Sequence, residues 1–202
     1  MQEQIFDNKV LIEIIDLRDY SNGEIEEIYQ GLSEHRKVKA DAVRSDKNRA
    51  LSILAGYKLE ELLKQFLQCD NKEELIFSTN ESGKPILIGE SETPSFSISH
   101  SGNFAAVAVS IASGISVGID IEDYESVNRN KKHMGNIAEK FFLENEKKYI
   151  NDDEPVFNVE KNKTKINFFK IWTMKEAAMK ALERPLLKVL RDTPYSPEDQ
   201  KL

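Results

Sequence analysis

The stretch Ile115-Ser116-Val117-Gly118-Ile119-Asp120-Ile121-Glu122 is the part of this sequence from which the fold is best argued. Its apolar, β-branched beginning predicts a β-strand that ends near two acidic residues. Because side chains two apart on a strand point the same way, Asp120 and Glu122 should share one face, with Ile121 directed to the other. The stretch therefore predicts a strand that delivers two carboxylates to one edge of the fold.

A second informative stretch is Trp172-Thr173-Met174-Lys175-Glu176-Ala177-Ala178-Met179-Lys180. Its spacing is helical, and it places Glu176 and Lys180, four apart, on one face. If this helix met the strand end, three carboxylates would repel, each pair at a cost of roughly 3 kcal/mol at about 5 Å and an effective dielectric near 20. A hard cation such as Mg²⁺ prefers oxygen ligands and would remove that cost.

The composition is that of an ordinary globular protein. The chain has 202 residues, 40% hydrophobic and 31% charged, enough for one domain or for two small halves packed together. The single cysteine, Cys69, excludes an internal disulfide framework and fits a reducing compartment. No apolar run reaches the length of a membrane span, and the first residues lack the features of a signal peptide. We therefore expect a cytoplasmic protein that contacts no membrane.

The net charge argues against a general nucleic-acid binder. Lysine and arginine total 28 against 35 aspartate and glutamate, which gives a net charge of −7. Two local regions are nevertheless basic, His35–Arg49 and Lys161–Lys180. Local positive fields on an acidic protein indicate a compact polyanionic ligand or an acidic partner surface, although a solvated helix face explains any single residue equally well.

Hydrophobic periodicity predicts an α+β order of elements. Before residue 75 we expect a strand at Lys9–Leu17, a helix at Glu24–Leu32 and a long amphipathic helix whose N-cap is Ser45. Strands are then predicted at Leu75–Phe77, Pro85–Ile88, Phe96–Ser99, Phe104–Val109 and Ile115–Ile121. Helices are predicted at Ile137–Phe142, Glu144–Ile150 and Asn167–Leu182. A loop at 123–136 precedes the first of these helices, and a charged linker at 151–165 separates the last two.

These motifs resemble those of the 4'-phosphopantetheinyl transferases, and most closely the larger, two-halved kind that activates peptide and polyketide synthetases. The resemblance rests on G-I-D-I-E at Gly118–Glu122 followed by W-x-x-K-E-A-x-x-K at Trp172–Lys180. Further matches in the family's order are Gly83-Lys84-Pro85, Phe96–Gly102, and Phe141-Phe142 with Glu146. Together they span about residues 30 to 182.

The resemblance implies two similar α+β halves packed together, with the active site in the cleft between them. We expect an N-terminal half, residues 1–112, that takes the nucleotide end of coenzyme A, and a C-terminal half, residues 113–182, that carries the metal ligands. After Leu182 the sequence departs from the family, which has a glycine-containing turn and closing strands there. Residues 183–202 are therefore predicted to be a polar tail, and the C-terminal half is predicted to be incomplete.

The function implied is a Mg²⁺-dependent transfer of the 4'-phosphopantetheine arm from coenzyme A to a serine of an apo-acyl or peptidyl carrier protein. Adenosine 3',5'-bisphosphate would leave. Asp120, Glu122 and Glu176 would be the metal ligands, and Glu176 and Lys180 the catalytic residues, with Glu176 helping to take the serine proton. The loop at 123–136 and the following helices would meet the acidic carrier protein, and the enzyme is expected to be a monomer.

Eight residues are expected to contact coenzyme A under this resemblance. Those expected at the phosphates are Lys84, Ser99, His100, Lys175 and Lys180. Those expected at the nucleotide end are Arg36, Lys37 and Arg49.

Less specific interpretations stay open at this point. Lys180 could form a solvated i,i+4 pair with Glu176, Lys84 could be an exposed turn residue, and His100 could be a buried core residue. A serine hydrolase that pairs His100 with Ser99 or Ser101 is disfavoured, because neither serine stands in a G-x-S-x-G elbow. The alternatives for the whole protein are a non-catalytic binding module for coenzyme A or a carrier protein, and a metal-dependent pyrophosphohydrolase.

Overall fold

Among the described residues all strands lie before residue 111, together with three α-helices, and the regular elements after residue 111 are all helices. The structure, a computed structural model, describes residues 10–67, 75–81, 83–89, 93–110, 112, 114–125, 131–151 and 163–194. The strands are β1 Val10–Asp16, β2 Ile76–Thr79, β3 Pro85–Ile88, β4 Phe96–Ser101 and β5 Phe104–Ser110. The helices are α1 Asn22–Gln30, α2 Glu34–Asp41, α3 Asp46–Leu67, α4 Lys131–Phe141, α5 Glu144–Asn151, α6 Lys163–Leu182 and α7 Leu186–Asp192, and a 3-10 helix covers Leu17–Asp19.

A three-stranded antiparallel sheet in the order β1–β5–β4 organises the N-terminal part of the fold. In its register Ala108 of β5 lies opposite Ile12 of β1 and Ser97 of β4. Residues Ala105–Val109 of the central strand are all buried, which explains their continuous apolar sequence. A separate antiparallel hairpin joins β2 and β3, with Phe77 opposite Leu87.

The long helix α3 supplies much of the first hydrophobic core. Its apolar residues pack with the inner faces of β1, β4 and β5. The members of α3 in this core are Leu51, Ile53, Leu54, Ala55, Leu59, Leu62 and Leu63. Ser45 caps the helix, because its Oγ accepts the Asn48 N–H at 3.5 Å. Truncating one of these leucines to alanine is expected to cost about 2–5 kcal/mol.

A second hydrophobic core lies among the C-terminal helices. Aromatic residues dominate it: the Phe168 ring of α6 stacks at 5.4 Å from Phe142 and at 6.0 Å from Trp172. Met134 and Ala138 of α4, Ile150 of α5 and Leu190 of α7 complete this cluster. The helix α6 therefore packs against α4, α5 and α7, and its position is fixed by this core.

The structure confirms the α+β class and most of the predicted elements. The predicted strand at Lys9–Leu17 corresponds to β1, and both predicted hairpins are present as β2–β3 and β4–β5. The predicted helices correspond to α1, α3, α4, α5 and α6, although α4 begins at Lys131, inside the predicted loop. The short helix α2 was not predicted.

Two predictions about the C-terminal part are wrong. Residues 115–121 do not form a strand, and the described residues after 113 contain helices and turns but no strand, so a second α+β half is not seen there. The polar tail is also wrong over 186–192, because this segment is helix α7, whose Val189 and Leu190 are buried. Cys69, residues 126–130, 152–162 and 195–202 lie outside the described residues, and the domain boundary at residue 112 stays a prediction.

No helix in the described part of the chain is both long enough and apolar enough to span a bilayer.

Candidate functional site

Serine side chains at alternate positions of β4, and of the residue just before it, hold the segment 115–122 that was predicted to be a strand. The backbone N–H of Val117 donates to Ser95 Oγ at 3.1 Å, and that of Ile119 donates to Ser97 Oγ at 3.1 Å. Because alternate residues of a strand share a face, the serines at 95 and 97 meet alternate residues of the segment. Side-chain oxygens thus replace the carbonyl oxygens that a paired strand would have offered.

The next two serines on the same face orient the two acidic side chains. Ser99 Oγ donates to Asp120 Oδ1 at 2.7 Å, and Ser101 Oγ donates to Glu122 Oε2 at 2.8 Å. Hydrogen bonds to ionised acceptors are stronger than those between neutral groups, so these contacts fix both carboxylates. The predicted common face of Asp120 and Glu122 is therefore built by β4 rather than by the pleat of a strand.

Gly118 allows this segment to lie directly on helix α6. A Cβ atom at this position would collide with the carbonyl oxygen of Ala177 and with the amide nitrogen of Ala181. Both obstacles belong to the backbone of α6, which cannot move aside cheaply. Glycine is thus required here by the close approach of two backbones. That approach brings residues 115–122, the acidic segment, within reach of Lys180.

Lys180 joins helix α6 to the acidic segment. Its Nζ donates to Asp120 Oδ1 at 2.8 Å and to the carbonyl oxygen of Ile119 at 3.0 Å. The Asp120 side chain is 6% exposed and that of Lys180 is 23% exposed, so water screens this pair only partly. Lys180 is therefore the counter-charge of Asp120 in this arrangement.

A cavity of about 520 Å³ opens beside this ion pair, between the β2–β3 turn, β4 and the C-terminal end of α6. Three of its lining residues are cationic: Lys84, Lys180 and Arg184. Lys84 Nζ donates to the Val117 carbonyl at 3.4 Å and lies 3.6 Å from a Glu183 carboxylate oxygen. The remaining lining residues are Gly83, Pro85, Phe96, Ser97, Ile98, Met179, Glu183 and Pro185. The cavity combines positive charge with apolar walls, which suits an anionic ligand that has an apolar part.

The carboxylates needed for a divalent cation are present but are not gathered into one site. Asp120 and Glu122 are held by serines, and Glu176 lies on α6, one turn before Lys180. Such an all-oxygen donor set suits a hard cation. Within the described ranges, however, no group of three or more His, Cys, Asp or Glu side chains could hold a metal ion. The predicted Mg²⁺ site is therefore not preformed by these side chains, and its three ligands Asp120, Glu122 and Glu176 stay a prediction.

Lys175 lies in the interior and not at the cavity. Its Nζ donates to Glu146 Oε2 at 2.9 Å and to the carbonyl oxygen of Leu190 at 2.7 Å, and both charged side chains have no exposed surface. Burial lowers the pKa of Lys175, and the Glu146 carboxylate opposes that shift. The predicted phosphate contact is corrected to a structural pair that ties α5 and α7 to α6.

Arg36 is also an interior residue. Its guanidinium lies against Gly56 of α3, and Nη2 donates to the Ser52 carbonyl at 3.3 Å. Burial lowers the pKa of Arg36, while the neighbouring charge of Glu60 acts in the opposite direction. The predicted nucleotide contact by Arg36 is therefore corrected to a contact between α2 and α3.

The two other basic residues predicted at the nucleotide end form surface ion pairs. Lys37 lies 3.2 Å from Glu34. Arg49 Nη2 lies 3.0 Å from Asp41 Oδ1, and its guanidinium stacks 4.5 Å above the Tyr29 ring. The hydrogen bond to Asp41 raises the pKa of Arg49. None of the three residues Arg36, Lys37 and Arg49 is among those that line the described cavity.

His100 is exposed, which excludes the buried core residue considered above. It alternates with Ser99 and Ser101 along β4 and therefore points away from the acidic segment. Of the predicted site residues, the structure thus brings together Lys84, Ser99, Asp120, Glu122 and Lys180.

Several residues of this region were missed by the sequence analysis. Ser95, Ser97 and Ser101 contact the acidic segment, and Arg184 lines the cavity. The serines could have been found from their alternation along a predicted strand, because a strand with one polar face must direct that face towards polar partners. Arg184 carried no such signal, since it follows the helix in a segment taken for a tail.

Comparisons with known proteins agree with the motifs. Residues 116–199 match the family model described as the 4'-phosphopantetheinyl transferase superfamily. The chain is 31% identical over 137 residues, 67% of its length and 50% of the relative's, to a Synechocystis sp. protein provisionally named a 4'-phosphopantetheinyl transferase. It is 33% identical over 131 residues, 65% of its length and 47% of the relative's, to the 4'-phosphopantetheinyl transferase gsp of Aneurinibacillus migulanus. The chain thus spans about half the length of these curated relatives.

Proposed function

Because the chain belongs to the 4'-phosphopantetheinyl transferase superfamily, we propose that it moves the 4'-phosphopantetheine arm of coenzyme A onto a serine of an apo-acyl or peptidyl carrier protein. The serine Oγ forms a bond to the phosphorus that bears the arm, and the bridging P–O bond of the pyrophosphate breaks. The serine hydroxyl gives up its proton, and adenosine 3',5'-bisphosphate leaves.

The observation that carries this proposal is the convergence of cations from separate elements on one cavity. Lys84 comes from the β2–β3 turn, whereas Lys180 and Arg184 come from the end of α6 and the residues after it. Transfer of a phosphoryl group depends chiefly on positioning and on neutralising negative charge. In this proposal the pyrophosphate of coenzyme A binds to these cations, and the apolar walls of the cavity take the arm.

The side chains that contact the acidic segment, and Glu176 on α6, each have a role in this proposal. Ser99 and Ser101 hold Asp120 and Glu122 in fixed orientations before substrate arrives. Lys180 keeps the Asp120 carboxylate neutralised and presents an ammonium group to the substrate phosphates. Glu176, one turn earlier on α6, accepts the proton of the attacking serine directly or through water.

Asp120, Glu122 and Glu176 are the residues that would hold a divalent cation, which we propose to be Mg²⁺. When bound, such an ion supplies Lewis acidity and a template for the phosphates. Trp172 lies one turn before Glu176 and is the single tryptophan, so its fluorescence reports on this end of α6. A saturable change on titration with Mg²⁺ that is absent in Glu122→Ala supports the assignment, and an identical change in both proteins contradicts it.

The remaining partner assignments follow from the same reaction. The proposed partners are coenzyme A and an apo-carrier protein, with no nucleic acid and no membrane, and the protein is proposed to act as a cytoplasmic monomer. Carrier proteins present acidic helices, so basic residues near the site matter more for docking than the net charge of −7.

The decisive experiment is a transfer assay with coenzyme A, Mg²⁺ and an apo-carrier protein, in which mass spectrometry follows the carrier. Glu122→Ala should reduce the transfer rate at least about a hundredfold, the range typical for losing a group that stabilises the transition state. Its far-UV circular dichroism should be unchanged. Glu27→Ala removes an exposed acid from helix α1, which carries none of the proposed site residues, and this control should retain full activity. Full transfer by Glu122→Ala would remove the acidic segment from the mechanism.

A non-catalytic binding module is the second candidate. The observation that favours it is that the acids are not gathered into a metal site among the described residues. Such a module would bind coenzyme A in calorimetry with or without Mg²⁺ and leave the carrier protein unmodified. The transfer assay therefore separates the two candidates.

A further inference from the structure

The backbone immediately after helix α6 has an unusual conformation. Glu183 follows Leu182, the last residue of the helix, and has φ of +53°. Helices commonly end with a residue in this left-handed region, but the residue is usually glycine, because a Cβ atom makes the conformation unfavourable. Glu183 therefore has a backbone conformation that glycine adopts at a lower energetic cost.

The Glu183 side chain reaches across to the β2–β3 turn. Asn80 Nδ2 donates to Glu183 Oε2 at 2.7 Å, and Lys84 Nζ lies 3.6 Å from Glu183 Oε1. Asn80 also shapes the turn that carries Lys84, because its Oδ1 accepts the Lys84 N–H at 2.9 Å. The carboxylate is thus held by the same turn that presents the lysine to the cavity.

The ion pair stabilises Lys84 more than Glu183, because the Lys84 side chain is the more buried of the two. The Lys84 side chain is 13% exposed and that of Glu183 is 36% exposed. A lysine with so little access to water benefits from a counter-charge, whereas the carboxylate can return to water at little cost. Both residues line the cavity, so a phosphate that reached Lys84 would meet the Glu183 carboxylate there.

We propose that Glu183 is an internal competitor for the anionic substrate. Its carboxylate lies beside Lys84, and a substrate phosphate displaces it. Glu183 then sets how tightly the cavity holds polyanions, and it favours ligands with enough negative charge to replace it. This inference rests on the proposed function for the identity of the substrate, but the competition itself concerns any phosphate-containing ligand.

The test measures binding of inorganic pyrophosphate and of coenzyme A by calorimetry, without a carrier protein. Glu183→Gln keeps the shape of the side chain and removes its charge, so both dissociation constants should fall roughly two- to fivefold, as expected for one partly exposed ion pair. The gain should shrink at high ionic strength, because salt screens the competing charge. A change in packing alone would not respond to salt in this way.

Three further variants separate charge competition from a general effect. Glu26→Gln removes a surface glutamate that, like Glu183, accepts an amide hydrogen bond, and it should leave binding unchanged. Lys84→Gln should weaken binding and abolish the gain from Glu183→Gln, since the two charges act on each other. Glu183→Gly should bind pyrophosphate and coenzyme A at least as tightly as Glu183→Gln does. It should also unfold at a higher temperature than Glu183→Gln, because glycine suits the left-handed backbone.

The outcomes distinguish the two proposals. If coenzyme A binds equally well to Glu183→Gln and to the unmodified protein, the competition is overturned while the transferase proposal stands. If Glu183→Gln binds pyrophosphate more tightly but neither protein modifies a carrier, the competition stands and the transferase proposal fails. If neither pyrophosphate nor coenzyme A binds to any variant, both are overturned.

Discussion

Two lysines of helix α6, five residues apart, have opposite environments. Lys175 is fully buried and is held by Glu146 and the Leu190 carbonyl, whereas Lys180 reaches the edge of the cavity and pairs with Asp120. Five residues along a helix correspond to a rotation of about 140°, so the two side chains leave the helix on different faces. One face packs on α5 and α7, and the other faces the acidic segment.

The difference shows how one sequence motif can carry both structure and chemistry. Both lysines belong to the stretch Trp172–Lys180, and from the sequence both are expected to contact the phosphates of coenzyme A. An ion pair removed from water must be complete, because a single buried charge is very costly. A pair at the edge of a cavity can exchange its partner for a substrate. Burial, rather than residue type, separates the two roles.

The largest effect is expected from breaking the buried pair. Glu146→Ala leaves the Lys175 ammonium and the Leu143 N–H without their carboxylate partner, and the free energy of unfolding should fall by about 3–5 kcal/mol. Urea unfolding measures this loss. Glu144→Ala, an exposed residue at the start of the same helix, should change stability by less than about 0.5 kcal/mol. Equal effects of the two substitutions would refute the distinction between buried and surface pairs. In the double variant Lys175→Met with Glu146→Leu, part of the loss should be recovered.

An intermediate effect is expected where the acidic segment lies on α6. Gly118→Ala forces a methyl group against backbone atoms of Ala177 and Ala181, which should cost about 1–3 kcal/mol and displace the segment from Lys180. Gly135→Ala is the matched control, since a Cβ there meets nothing within 4 Å. That control should raise stability by up to about 1 kcal/mol, because alanine favours a helix. Thermal unfolding compares the two variants, and a neutral Gly118→Ala would contradict the close approach.

The smallest effect on stability should come from the lysine at the cavity. Lys180→Met is expected to lower the free energy of unfolding by about 1–2 kcal/mol, because Asp120 keeps its hydrogen bond from Ser99. The affinity for coenzyme A should nevertheless fall at least about tenfold, as for loss of a charge-assisted contact. Calorimetry and urea unfolding on the same sample test both halves. A large loss of stability with unchanged affinity would make Lys180 a structural residue like Lys175.

The local sequence pattern was sufficient to predict most of the helices and strands and part of the candidate site. Two strand-like runs close together in the sequence, Phe96–Ser99 and Phe104–Val109, predicted the hairpin β4–β5, and the apolar stripe predicted α3, because these patterns act over a few residues. The β-branched run at 115–121 was misleading, since its backbone N–H groups donate to serine side chains and not to the carbonyl oxygens of a neighbouring strand. Helix α7 was missed because a sequence this short gains its helical stability from packing on other elements, here α6 and α4.

The sequence by itself determined the residue types that the chemistry needs: acids at 120 and 122, the α6 motif and the lysine at 84. Only the tertiary structure decided which of these residues meet. It placed Lys180 on Asp120, withdrew Lys175 and Arg36 into the interior, and set Glu183 against Lys84. The physical reason is that periodicity reports which face of an element is apolar, whereas the neighbour of a charged side chain depends on how distant elements pack.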